Sequence, residues 1–203
     1  MDQIVSSQSA SARSLLYWLL ADLFLNCPNE RSVASLRRDL ESLPDGSGLL
    51  AQLTEFCGLL PGDPPGINDL AVEYTRLFGA LNPHEGPAPP YESVYRSSDV
   101  AHAVEHFYAK AGLVPDENCA PPDHFGVELR FLALLFYCEA EALAEGQETE
   151  ANKLAGDREA FLDQHVRAWA LGYLDQLKAD ARHPFYRALA AVTGSVLGEV
   201  SEE

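Results

Sequence analysis

PPDHFGVELRFLALLFYCEAEALAE, residues 121–145, decides the fold. Between Leu129 and Cys138 the apolar side chains wrap most of the circumference of a 3.6-residue period, the pattern of a helix buried on nearly every side. Pro121 and Pro122 cannot sit inside a helix, and Asp123 stands where an N-cap belongs, its carboxylate accepting free backbone N–H groups near the positive end of the helix dipole. The stretch therefore predicts a central helix from Asp123 to about Glu145.

Outward from it, apolar residues recur at three and four rather than at two, and no segment reads as a strand. On the N-terminal side helices are predicted over about 9–25, from Glu30 through Val33, Leu36, Leu40 and Leu43 to the Pro44-Asp45-Gly46 stop, and over 49–60 before the cluster PGDPPG. A helix from near Ile67 places Leu70, Ala71, Tyr74, Leu77, Phe78 and Leu81 on one stripe and ends in the proline-rich LNPHEGPAPPYES. A fifth, capped by Ser98 or Asp99, is expected to bury Val100, Ala103, Val104, Phe107 and Ala111 and to stop at Gly112. Beyond the acidic stretch 139–150 the pattern predicts a long helix over about 157–181 and a last one from Pro184 to about Leu197. No repeat at helical-solenoid periods is evident. The expectation is an all-α fold: a single irregular bundle of about eight to ten helices over 1–203, with a possible hinge at 114–122 between its N- and C-terminal halves.

The 203 residues carry 14 Lys and Arg against 31 Asp and Glu, a formal charge of −17. Such a field repels phosphate backbones and anionic membranes and suits basic peptides. The longest charge-free runs, Ser14 to Ala21 and Phe131 to Cys138, fall far short of the roughly 20 apolar residues of a bilayer span. MDQIVSSQSASAR lacks the layout of a secretory signal, and Arg37-Arg38 lies inside a helical pattern, so a cytoplasmic location is expected. Cys27, Cys57, Cys119 and Cys138 form no CxxC pair and read as space-filling thiols.

Catalytic motifs are missing: no G-x-S-x-G, GxxxxGK[ST], GxGxxG or HExxH occurs, and nothing calls for a cofactor. His102 and His106 have the spacing of a metal pair but lie opposite the apolar stripe, so solvated surface is the reading and no metal is expected. Three constellations remain. At Pro122-Asp123-His124 the Asp is explained by capping alone. Glu128 follows His124 by one turn in the sector predicted to be buried, so the two bond each other, bond another polar group, or line a groove open to ligand. Glu73-Tyr74-x-x-Leu77-Phe78 is followed by Pro90-Tyr91-Glu92-Ser93 and Tyr95, where prolines stiffen a loop that can present aromatic rings.

Three blocks resemble the TorD/DmsD/NarJ family of redox-enzyme maturation chaperones, in its TorD/DmsD-like branch. They are EYTRLFGALNPHEGPAPPYESVY (73–95), PPDHFGVELRFLALL (121–135) and FLDQHVRAWALGYLDQLKADARHPFYRALA (161–190), the last with His165, Trp169, Tyr173 and Leu177 at every fourth position. The resemblance implies a cytoplasmic, non-enzymatic chaperone that binds the twin-arginine signal peptide of a molybdopterin-dependent oxidoreductase, and the apo catalytic subunit behind it, until cofactor insertion is complete. It also implies peptide-recognition positions at Tyr74, Leu77, Phe78, Pro90, Tyr91, Glu92 and Ser93, and at Pro122, Asp123 and His124. The wheel argument adds Glu128. Signal arginines are expected on Asp123, Glu128 or Glu92, and the apolar segment on Tyr74, Leu77, Phe78 and Tyr91. The chain departs from the family pattern at Gly79-Ala80-Leu81-Asn82-Pro83. A NarJ-like assembly chaperone for a membrane-associated molybdoenzyme and a nucleotide-binding accessory protein stay open as alternatives, as do monomer and domain-swapped homodimer.

Overall fold

The computed structural model describes residues 2–41, 50–79, 88–113 and 120–199. Among the described residues it holds ten α-helices and no strand, and its contacts divide it into two compact units. The first comprises Met1–Leu25 with Tyr91–Ala170, the second Asn26–Pro90 with Leu171–Glu203. Of the expected hinge at 114–122, residues 114–119 lie outside the described residues, and both flanks belong to the first unit.

In the first unit, helix α1 (Asp2–Leu25) lies antiparallel to α7 (Phe125–Ala144). Hydroxyls tie the pair: Ser7 donates to the Ala140 carbonyl at 3.1 Å and Ser14 to that of Ala133 at 2.8 Å. Rings close the seam, Tyr17 on Phe136 at 5.3 Å and Phe24 on Phe125 at 4.8 Å. The N-terminal end of α7 approaches closely because residue 126 is glycine; a Cβ there would meet Leu25 Cγ at 2.5 Å and the Ala21 carbonyl oxygen at 3.1 Å. Contact with α7 accompanies an α1 that begins earlier than the predicted residue 9.

α8 (Glu148–Phe161) packs on α7. Its buried Arg158 lies over the Phe136 ring at 4.1 Å and pairs with Glu139 at 3.1 Å and with Glu159, so the cation is not left alone in an apolar setting. α6 (Val100–Lys110) differs from its predicted stripe: Val104 and Tyr108 are the buried positions, Val100 and Phe107 are half-buried, and Ala103 and Ala111 are exposed. Tyr108 replaces the small residues at the core because its ring packs on Phe131 at 4.7 Å while its hydroxyl reaches the Pro122 carbonyl at 2.8 Å.

The single helix predicted over 157–181 is three elements. After α8 comes a π-helical turn, Leu162–Val166, closed by the Arg167 N–H on the Leu162 carbonyl at 2.8 Å, and then α9 (Ala170–Asp180). A wide turn leaves carbonyls without helical partners. Here the Gln164 carbonyl accepts from Arg96 at 2.7 Å.

In the second unit α2 (Glu30–Glu41) begins at a reciprocal cap: Asn29 Oδ1 accepts the N–H groups of Arg31 and Ser32, and Ser32 Oγ accepts that of Asn29. α3 (Leu50–Gly58) and α10 (Pro184–Glu199) meet through Phe56 stacked on Phe185 at 4.8 Å. α4 (Pro64–Phe78) starts before the predicted Ile67, since Pro64 and Pro65 occupy the first turn, where no intrahelical N–H bond is needed. Tyr186 of α10 donates to the Leu70 carbonyl at 2.9 Å.

Candidate functional site

The sequence-predicted residues fall in both units. Tyr91, Glu92, Ser93, Pro122, Asp123, His124 and Glu128 belong to the first, and Tyr74, Leu77, Phe78 and Pro90 to the second.

In the first unit two segments separated by some thirty residues come together. Tyr91 and His124 form an isolated antiparallel bridge with their rings edge-on at 5.2 Å. The Glu92 N–H donates to the Asp123 carbonyl at 2.9 Å, and the Ser93 N–H to Asp123 Oδ2 at 3.1 Å. Asp123 thus caps the first turn of α5 (Glu92–Tyr95), a four-residue helix the sequence reading missed, rather than α7. The N-cap of α7 is His124, whose Nδ1 accepts the Gly126 N–H at 3.0 Å. An accepting Nδ1 carries no proton; burial lowers the His124 pKa to about 4, with the neighbouring Asp123 charge pulling the other way.

Behind this patch is a sealed polar cluster. Glu92, fully buried, accepts from Arg96 and, at 2.8 Å, pairs with His165 Nδ1. Glu128, also fully buried, accepts the Trp169 indole N–H at 3.2 Å. Burial and then the charge of Glu92 push the Glu128 carboxyl well above the usual carboxylate range, against the pull of that indole donor. Of the options the sequence left for His124 and Glu128, each has taken another polar partner. The π-helical turn brings His165 to Glu92 and Trp169 to Glu128; their four-residue recurrence was the one sequence clue to these supporting residues.

Of the residues expected at the peptide, Glu92, Asp123, His124 and Glu128 are all buried. Tyr91 and Ser93 are half-buried, Pro122 likewise, and Val94 is exposed at 51%. The carboxylates shape the patch, and the rim offers apolar and hydroxyl surface.

In the second unit Leu77 is core and Pro90 is buried, whereas Tyr74 and Phe78 are half-buried with rings 4.8 Å apart and Phe78 packed on Tyr186. The buried charge here is Glu73. It takes both guanidinium contacts of Arg76 at 2.7 Å and the N–H groups of Arg182 and His183 at 2.6 and 3.3 Å, stapling α4 to the turn before α10. Burial alone would raise its pKa, but these donors hold it at about 2. The departure at 79–83 lies, beyond Gly79, outside the described residues.

His102 and His106 are exposed, and among the described residues no three His, Cys, Asp or Glu side chains are grouped to hold a metal. Among the same residues no helix is long and apolar enough to cross a membrane.

Residues 40–173 match the family model of the nitrate reductase delta subunit. The chaperone protein TorD of Aeromonas salmonicida is 25% identical over 198 residues, covering 93% of this chain and 89% of its own. A Haemophilus influenzae protein described as a Tat proofreading chaperone, DmsD, is 28% identical over 132 residues, 62% of this chain and 57% of its own. In fold, the chain is similar to a crystal structure described as a redox enzyme maturation protein from Archaeoglobus fulgidus, with a TM-score of 0.58 and 23% identity over 91% of this chain and 93% of that one.

Proposed function

This chain belongs to the nitrate reductase delta subunit family, and from that premise we propose that it is a redox-enzyme maturation chaperone that binds the twin-arginine leader of a molybdopterin-dependent oxidoreductase. It holds that client in the cytoplasm through folding and cofactor insertion, before export. The observation that carries the reading is the union of Tyr91-Glu92-Ser93 with Asp123-His124. A loop and a helix entrance distant in sequence are locked into one patch whose polar backbone is already satisfied, leaving Tyr91, Ser93 and Val94 to face a partner.

A twin-arginine leader joins a cationic stretch to an apolar, helix-forming segment. A chain of charge −17 attracts the first, and a rim of aromatic and aliphatic side chains accepts the second. Because the site carboxylates are enclosed, the field of the whole surface steers the arginines, and the anchors are apolar. Tyr74 and Phe78 of the second unit are proposed as separate apolar contacts.

The test is calorimetric titration of a synthetic peptide bearing two adjacent arginines and a leucine-rich segment. Binding is expected, with Tyr91→Ala or Val94→Ser weakening it about ten-fold, the scale of a truncated interface anchor. Absence of binding to the unaltered protein would remove the proposal. The matching family model is named for a nitrate reductase subunit, and the second reading proposed is assembly of a membrane-associated molybdoenzyme without a cleavable leader; capture of a leaderless catalytic subunit separates the two.

A further inference from the structure

The stripe His124, Glu128, Phe131, Leu135, at spacings of four, three and four, runs along one face of α7. Its first half belongs to the patch described above. Its second half floors a cavity of about 150 Å³ enclosed by α6, α7 and α8, with Phe107, Phe131, Leu135, Cys138 and Leu154 among its walls. At the rim stand two cations and two carboxylates. Lys110 reaches from α6 to Asp157 of α8 at 2.6 Å, and Lys153 pairs with Glu150 at 3.2 Å. Both lysines are more than half exposed, so neither pair is held firmly.

We propose that this cavity seats one apolar side chain of a cationic leader peptide, with a guanidinium of the same peptide taking Asp157 from Lys110. The inference rests on the leader-binding reading and extends it from the Tyr91 patch along α7.

Three observations select this occupant. The cavity is the size of one ring or branched aliphatic side chain and too small for a folded element: apolar residues of α6, α7 and α8 form its floor and charged ones its rim. Leu135 lies eleven residues beyond His124, about 16 Å along α7, within the length of a leader's apolar helix. The local charge is net negative and so favours a cationic peptide: from Phe131 to Arg158 the chain has six acids against two cations, Lys153 and Arg158. A planar guanidinium also binds a carboxylate through two N–H groups, where an ammonium offers a point charge, so arginine can displace Lys110.

Cys138 makes the cavity its own reporter. Its half-buried thiol, raised above the usual range by burial and by Glu141, lines the wall. In full-length protein with Cys27→Ser, Cys57→Ser and Cys119→Ser, the rate of Cys138 alkylation reads occupancy. The probe is the synthetic peptide with two adjacent arginines and a leucine-rich segment, beside matched peptides with the leucines changed to serine or the arginines to glutamine.

The parent peptide is expected to slow alkylation several-fold at saturation, and the serine peptide to give no protection. Ala111→Phe, which fills the mouth from an exposed position, is expected to weaken binding about ten-fold, the loss of one buried apolar side chain. Should that variant unfold, Asp157→Asn serves instead and is expected to make the arginine and glutamine peptides bind more alike. Binding with Cys138 unprotected overturns the cavity assignment and leaves the leader-binding reading standing. No binding at all overturns both. Protection that grows with protein concentration alone assigns the cavity to a second copy of the chain and likewise overturns it.

Discussion

Glu128 carries a carboxyl that the fold prefers uncharged. Burial and Glu92 raise its pKa well above the ordinary 4.5, and the indole of Trp169 needs only an acceptor oxygen. The folded state therefore keeps a proton that the unfolded chain gives up, and this group costs stability as pH rises from 4.5 into the raised range. Glu128→Gln preserves the acceptor without the charge and is expected to leave stability at neutral pH unchanged or higher. Glu128→Ala strands the indole N–H beside a cavity and should cost about 2–4 kcal/mol. Denaturant melts compare the two; equal losses would show that the carboxylate itself is required. His124 and Glu73 act in separate windows. His124, at about 4 when folded and 6.5 ordinarily, stays neutral while the unfolded chain binds a proton, so its stability is complete above 6.5 and falls toward pH 4. Glu73, at about 2 against 4.5, stabilises above 4.5 and is lost as pH falls toward 2. His124→Asn keeps a capping acceptor and should flatten the upper decline alone; Glu73→Gln should flatten the lower one and cost about 2–3 kcal/mol at neutral pH. Melts across both windows check this, and a variant that moves both declines contradicts the assignment.

Helix against helix, α1 and α7 are as close as Gly126 allows. Gly126→Ala pushes a Cβ into Leu25 and the Ala21 carbonyl, and should destabilise by about 1–3 kcal/mol. An additional Leu25→Ala relieves the side-chain clash, so the double variant should lose less than the sum of the single ones; simple additivity would show that the backbone oxygen sets the limit. At this scale the sequence was most informative where periodicity alone determines structure. The near-total burial of α7 follows from its run of apolar residues, and Pro184 marks the entrance of the last helix. It was least informative where a distant partner decides. Residues 161–166 keep a helical period whether the turn is α or π; Arg96, far away in the chain, supplies the donor for the Gln164 carbonyl of the wider turn. α5 is too short to show a period. By type Asp123 is the expected cap of α7, and only the arrival of the Ser93 N–H assigns it to the other helix and leaves the α7 cap to His124. Read as one stripe, α4 exposed its apolar residues but hid Glu73, whose backbone partners lie more than a hundred residues onward.

Over the whole molecule, the proposed recognition of a leader would divide between charge and burial. The three carboxylates of the candidate patch are enclosed, so the large negative charge acts from the exposed acids of the surface, which are screened by salt over about 8 Å at physiological ionic strength. On the proposed reading, a field of this kind accelerates encounter with a cationic leader, and apolar anchors at Tyr91, Val94 and the α7 face would hold the peptide once it has arrived. Raising salt to about 0.5 M is therefore expected to lower the association rate about ten-fold or more and to change the dissociation rate less than about two-fold. Stopped-flow fluorescence on the leader peptide measures both. Changing the peptide's leucines to serine should reverse the pattern, accelerating dissociation while association keeps its salt dependence. A dissociation rate that rises with salt as steeply as association falls would mean that enclosed ion pairs hold the peptide, and that the buried acids open to receive it.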